Sequence, residues 1–205
     1  MKSKQVKLFV TAIGTDSGKT LISAILVKKL EADYWKPIQC GTPTDKNQIE
    51  TWLGPTTKTI PEQFFLSTPA SPHFAAKNEN LHVKVSDFIL PHTDNNLVVE
   101  GAGGLLVPLN SDETIANLIL HFDLPVILVV NHYLGSLNHS LLTIEALNQR
   151  KIRIAGIVFN GHNFQDAEEI ILAKANCPCI LRLPEYDKIT LELIEELASQ
   201  MQLNY

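Results

Sequence analysis

The chain predicts an α/β fold: a mostly parallel sheet with helices on both faces. Two observations predict it. Short apolar runs alternate along the chain with stretches whose apolar residues recur at helical spacing. Those runs are mainly apolar, as strands covered on both faces are. The 205 residues, 45% hydrophobic and 19% charged, suit one domain spanning 1–205 with a sizeable core.

Each element has its own warrant. Val6–Thr11 is a compact apolar run and reads as the first strand. Gly18–Leu30 carries Leu21, Ile22, Ile25, Leu26 and Leu30 at the spacing of one helical face. Tyr34–Ile38 reads as a short second strand. Residues 41–80 hold prolines at 43, 55, 61, 69 and 72, so loops are expected there with a short helix near Lys46–Leu53. Val83–Leu90 is expected to be helical and Leu97–Glu100 a strand. Thr114–Phe122, Leu137–Arg150, Asn163–Ala175 and Thr190–Met201 read as helices; Pro125–Val130, Arg153–Phe159 and Ile180–Leu183 read as strands between them.

Composition narrows the function. A net charge of −5 gives a nucleic-acid partner no electrostatic support. The longest apolar run near the middle, "LPVILVV", is far too short to span a membrane. The start "MKSKQVKLFV" lacks the apolar stretch of a signal peptide. Three cysteines make no disulfide framework, so a reduced, cytoplasmic setting is expected. Cys177-Pro-Cys179 and the histidines at 73, 132, 139 and 162 lack metal-ligand spacing and read as structural.

Ligands on such sheets bind beyond the carboxyl ends of strands, so the residues following each strand carry the chemistry. After the first comes "AIGTDSGKT". Lys19 and Thr20 open a helix, where free amides and the helix dipole favour phosphate. Lysine there reaches outer phosphates and the threonine hydroxyl suits Mg²⁺. The expectation is therefore a P-loop NTPase-like fold. The loop is unusual, because the common spacing puts a glycine where this chain has Ile13. After the second strand stands Lys36, before Pro37. After the third, Glu100 runs into "GAGG", a carboxylate placed to share Mg²⁺ with Thr20. After the fourth, Gly135–Asn138 leads into a helix N-terminus suited to an anion. After the fifth comes Asn160, whose amide offers the paired donor and acceptor that an adenine edge needs. Each also has a bland reading. G-K-T is a common tripeptide, Lys36 an ordinary solvated lysine, Ser136 or Asn138 a plain helix cap, and Asn160-Gly161 a turn.

Taken together, "GKT", "WKPIQCGT", "STPASPHFAA", "VEGAGGLLVPL", "LPVILVV", "LGSLNHSLLT" and "IAGIVFN" occur in the order seen in dethiobiotin synthetases. The resemblance covers roughly residues 6–185. It implies an ATP- and Mg²⁺-dependent enzyme of biotin synthesis. The diamine 7,8-diaminononanoate takes up CO₂ (from bicarbonate) as a carbamate, the carbamate attacks the γ-phosphate, and the second amine closes a cyclic urea. By position, the resemblance implies that Lys36 and Lys19 are catalytic. ATP meets Gly14, Thr15, Asp16, Ser17, Gly18, Lys19, Thr20, Glu100, Gly101, Ala102, Gly103, Asn160, Leu183 and Pro184. The diamine meets Thr15, Lys36, Cys40 and Gly135, Ser136, Leu137 and Asn138. That last stretch comes from the neighbouring subunit, so a homodimer is implied.

Three departures stand out. Ile13 replaces a smaller loop residue, and Gly14 is expected to compensate by taking unusual backbone angles. Cys40 stands where the family has Ser or Thr, with Thr42 as a substitute. The third Mg²⁺ ligand, beside Thr20 and Glu100, falls on Glu50 by the pattern carboxylate-x-x-Leu, with Asp45 as the alternative. Two other functions compete. One is a nucleotide-dependent switch or partitioning-type ATPase, but those resembling the deviant-Walker group carry an extra early lysine, and none lies between Phe9 and Lys19. The other is an inactive relative.

Overall fold

The computed structural model describes residues 5–162 and 164–203. Seven parallel strands form the main sheet. In chain order the elements are β1 (Lys7–Ala12), α1 (Lys19–Leu30), β2 (Ala32–Trp35), β3 (Ile38–Cys40), α2 (Asp45–Leu53), β4 (Thr59–Ile60), β5 (Phe64–Leu66), α3 (Pro72–Asn78), β6 (Asn96–Glu100), α4 (Ile115–Phe122), β7 (Val126–Asn131), α5 (Ser136–Gln149), β8 (Ile154–Asn160), α6 (Gln165–Ala175), β9 (Cys179–Leu183) and α7 (Leu191–Gln200). The spatial order is β4-β2-β6-β1-β7-β8-β9, with β3 and β5 paired separately.

From β1 the chain steps to one side, to β2 and then β6, and afterwards to the other, to β7. The order therefore reverses at β1, the place where such sheets open a crevice. Strand alternation divides the core into two layers. Leu8, Val10, Ala12, Tyr34, Val98 and Ile127 pack under α1, α2 and α7. Phe9, Trp35, Leu97, Val99 and Leu128 pack under α3, α4, α5 and α6. Residues of one parity thus set the face on which a rim side chain stands.

Two expectations are corrected. The strand expected over Tyr34–Ile38 is split. β2 ends at Trp35, and after Pro37 the chain leaves the main sheet so that Ile38–Cys40 pairs with Phe64–Leu66. Proline has no N–H to continue a ladder. The helix expected over Val83–Leu90 shrinks to one 3₁₀ turn, Val85–Asp87. Its amides are diverted to side chains: Lys84 N donates to Asp87 Oδ2 at 2.9 Å and Val85 N to Glu113 Oε2 at 2.9 Å. Such local acceptors compete with the helical ladder. The expected helix start at Asn163 lies outside the described residues; α6 runs from Gln165.

Candidate active site

A cleft of about 890 Å³ opens above the carboxyl ends of β1, β2 and β6. Thr15–Thr20, Lys36, Asp45 and Glu100 line it. Its floor follows from register. Val98 lies beside Tyr34 in the β2–β6 ladder, so Lys36 and Glu100, two residues further on, continue on the α1 face. Thr20, in the first turn of α1, meets them there. Thr20 Oγ1 donates to Glu100 Oε1 at 3.1 Å, and Lys36 Nζ donates to the same oxygen at 3.4 Å. Lys36 also forms an ion pair with Asp45. Lys19 Nζ reaches back to the Gly14 carbonyl at 3.4 Å.

These are buried charges: Lys19, Lys36 and Glu100 are 7%, 6% and 1% exposed. Burial depresses the Lys19 ammonium, with Lys36 adding to the effect and Glu100 opposing it, and the net shift is downward. Burial works against Lys36 too, but there Glu100 and Asp45 prevail and its pKa stands above the ordinary lysine value. Lys36 is held as a cation. Cys40, half-buried on the same wall, has its thiol pushed up to about 11 by burial, against the pull of Lys36. It is a neutral thiol at neutral pH.

The loop answers the question raised by Ile13. Ile13 N donates to Val129 O at 3.2 Å, extending the β1–β7 ladder, and its side chain packs on the core. The unusual backbone angles fall on Asp16, φ 54°, and Gly18, φ 91°, and not on Gly14. Gly14 serves close approach instead. The "GAGG" loop lies against it, so that a Cβ on Gly104 would stand 3.3 Å from the Gly14 Cα. At Gly18 a side chain would run into the Asn160 amide, which donates to Ser17 O at 3.0 Å.

Glu50, expected as the third metal ligand, stands outside the cleft. Glu50 is exposed and accepts from the Thr59 hydroxyl, in a separate depression with Asn47, Thr51, Pro55 and Thr57. Five residues along a helix turn a side chain about 140° away. Ile49 and Leu53 bury the face of α2 that carries Asp45, so Asp45 is the carboxylate that reaches Lys36. The start of α2 was legible: Thr44 caps it, accepting from Asn47 N at 3.1 Å.

The structure gathers Thr15–Thr20, Lys36, Cys40, Glu100, Ala102 and Gly103 around one cleft. Gly14, which borders a neighbouring groove, Gly101, Gly135–Asn138 at the start of α5, and Asn160, Leu183 and Pro184 do not line it. Asn160 and Leu183 stand side by side in the β8–β9 ladder, joined to the cleft through Ser17. Sequence reasoning missed Tyr34 and Gln39. Tyr34 reads as an ordinary core residue. Gln39 lies in a strand that the second-strand reading did not separate.

The donors are hard oxygens: the Thr20 hydroxyl and the carboxylates of Glu100 and Asp45. That set fits magnesium, which takes one or two carboxylates, keeps waters and completes its shell with phosphate oxygens. Among the described residues no cluster of three or more His, Cys, Asp or Glu forms an all-protein cage.

The comparisons with known proteins decide the family. The AAA domain model AAA_26 matches residues 6–192. The ATP-dependent dethiobiotin synthetase BioD of Cytophaga hutchinsonii is 48% identical over 97% of this chain and 98% of its own length. The chain belongs to the dethiobiotin synthetase family. Its relatives include the BioD of Rhodopseudomonas palustris strain BisB18, 42% identical over 89% of each chain, and that of Christiangramia forsetii, 41% identical over 95% of each. A dethiobiotin synthetase is an ATP-dependent ligase of biotin biosynthesis, the activity expected from the sequence. Among solved structures, the septum site-determining protein MinD from Pyrococcus horikoshii, complexed with Mg-ADP, superposes at TM-score 0.57 with 10% identity over 96% of both chains. A ParA family ATPase from Chlorobium tepidum gives 0.53 with 12% identity, over 95% of this chain and 98% of that one. At such identity these likenesses establish the P-loop NTPase fold alone and lend nothing to a partitioning role.

Proposed function

We propose that this synthetase joins 7,8-diaminononanoate, CO₂ and ATP in the cleft above β1, β2 and β6. One observation carries the reading: Lys36, held as a cation between Asp45 and Glu100, faces the loop that bears Lys19 and Thr20. The first nucleophile is a carbamate and its target a phosphoryl group, so two anions must meet. Lys36 and Lys19 lower that repulsion, and fixed cations of this kind account for most of the stabilisation in phosphoryl transfer. Lys36 turns from Asp45 and Glu100 toward the incoming carbamate. Magnesium, held by Thr20, Glu100 and Asp45, would screen the phosphate charge. Gly14–Gly18 and Gly101–Gly103 present backbone close to the phosphates. The second amine then displaces phosphate and closes the urea, a step that needs positioning more than further chemistry.

The remaining assignments are part of the same proposal. Asn160, Leu183 and Pro184 read the adenine from beyond the loop. Gly135–Asn138 holds the distant carboxylate of the diamine, contributed by a second subunit of a homodimer in the cytoplasm. Surface apolarity supports the dimer. Leu106 and Leu142, about half exposed, line a groove of about 390 Å³ formed by 13–15, 104–108, His139, Leu142 and Thr143, and Leu134, just before α5, is fully exposed. No described helix is long and apolar enough to cross a membrane.

The direct test is incubation of the pure protein with diamine, bicarbonate, Mg²⁺ and ATP, followed by mass detection of the cyclic urea. Absence of the product overturns the reading. The shared site has its own test. Lys36→Ala and Asn138→Trp subunits, each inactive alone, should regain activity when mixed, because one site of the heterodimer is intact. Asn138 is exposed in helical backbone, whereas Gly135 has φ 103°, where any side chain is strained. If heterodimers form and remain inactive, the sites are not shared.

A further inference from the structure

Glu100 presents its two oxygens to different neighbours. Oε1 faces the cleft and accepts from Thr20 and Lys36. Oε2 accepts from the Tyr34 hydroxyl at 3.0 Å. Tyr34 is fully buried in the apolar layer beneath α1. The ladder puts it there: Tyr34 pairs with Val98, so Glu100 is its diagonal neighbour on the same face. A phenylalanine would fill that space without burying a hydroxyl, and a buried hydroxyl is costly unless it is bonded. Among the described residues, Glu100 is the acceptor of the Tyr34 hydroxyl.

We infer that Tyr34 is a positioning residue that limits Glu100 to one metal-facing oxygen and so biases the site toward magnesium over calcium. The inference rests on the reading of Glu100 and Thr20 as magnesium ligands. With Oε2 bound to the phenol, Glu100 meets a cation through Oε1 alone. A small octahedral ion accepts one oxygen per carboxylate. Calcium gathers six to eight oxygens at longer distances and commonly takes both oxygens of one carboxylate. Removing the hydroxyl frees Oε2 and relaxes the bias, while the ring still fills the core.

The test is a calorimetric titration of the full-length protein with Mg²⁺ and, separately, Ca²⁺, in the presence of a non-hydrolysable ATP analogue. The quantity read is the ratio of the two Kd values. Tyr34→Phe should shift that ratio toward calcium by about tenfold, the scale of one hydrogen bond to a charged group. Ile194→Val, a buried change in α7 away from the cleft, should leave it unchanged. A lost core contact moves stability but not this ratio. An unchanged ratio in folded Tyr34→Phe overturns the inference. Glu100→Gln in the same titration separates the two readings. If it binds Mg²⁺ as the natural protein does, the ligand assignment falls and the inference with it. If it loses Mg²⁺ while Tyr34→Phe keeps the ratio, the Tyr34 inference alone fails. Should Tyr34→Phe not fold, the natural protein decides. In tyrosine-labelled protein, NMR should show the Tyr34 hydroxyl proton still slow to exchange after Mg²⁺ and the analogue are added. Its loss on adding Mg²⁺ overturns the inference.

Discussion

Strand β2 has a buried charge near each end, Asp33 within it and Lys36 just beyond it, and the two are built in opposite ways. At its amino end Asp33 is 1% exposed and accepts three hydrogen bonds: from Thr93 Oγ1 at 2.5 Å, Asn95 Nδ2 at 2.8 Å and Lys58 Nζ at 2.9 Å. Its cation, Lys58, lies largely in water. At the carboxyl end the cation itself, Lys36, is buried, and two carboxylates share it at the floor of an open cleft. The first arrangement leaves the buried group nothing more to bind. The second holds a cation whose partners are also wanted by other ligands. A saturated network is a fastening; a cluster poised to exchange partners is a site.

The largest effect expected from breaking this contrast is at Lys36. Lys36→Ala should lower turnover by about 10²–10³, with ATP affinity changed far less, as loss of a group aimed at the reacting charge does. Asp33→Asn should leave turnover within about twofold once the protein is folded, because surface-remote polar changes act on stability. Steady-state kinetics on both variants checks the pair. Similar losses would erase the distinction.

A smaller effect sharpens the metal side. Asp45→Asn should weaken the magnesium dependence of turnover by about tenfold or more, in the range found when groups supporting a metal are removed. Glu50→Gln, on the far side of α2, should match the natural protein in a magnesium titration. The reverse result would return the third ligand to Glu50.

The smallest effect is on stability at the fastened end. Burial raises the Asp33 carboxyl, but Asn95, Lys58 and Thr93 outweigh it, and its folded pKa lies below the ordinary value. Its stabilisation is therefore fully present above the unfolded carboxylate pKa of about 3.9 and is lost as pH falls through the lower folded value. Asp33→Asn should cost about 1–3 kcal/mol at neutral pH. It should also flatten the acid limb of a stability curve measured by urea unfolding below about pH 4. An acid limb as steep as that of the natural protein would show that Asp33 is not responsible.

The sequence revealed the site unevenly, for physical reasons. The shared rim of Lys19, Thr20 and Glu100 was legible because they follow or end apolar strands, and parallel strands bring their carboxyl ends together; Lys36 alone reads as a solvated lysine and stood out only through the family resemblance. Asp45, which lines the cleft, was read only as the alternative to Glu50 because the carboxylate-x-x-Leu pattern weighs spacing to a core residue, while reach to the rim depends on the cap at Thr44. Tyr34 gave no signal: its ring belongs to the core, and only the ladder register reveals that its hydroxyl meets Glu100. The shortened turn at Val85–Asp87 was hidden for a similar reason, since Glu113, which captures the Val85 amide, is distant in sequence. The layers of the fold were clearer than its joints because apolar runs repeat many times along the chain, whereas the turn away from the sheet at Pro37 depends on one residue.

That turn has a wider consequence. Beyond Pro37 the chain builds a small parallel pair, β3 and β5, from which Gln39, Cys40 and the segment Pro69–Pro72 form the outer wall of the cleft. The inner wall, with the phosphate loop and Glu100, belongs to the large sheet. The small pair starts at Pro37, whose carbonyl accepts from the Gln63 and Phe64 amides, both at 3.0 Å. Because the walls rest on different sheets, one can change without the other. A substitution in the outer wall would change which small molecule fits the cleft and leave the loop bearing Lys19 and Thr20 in place.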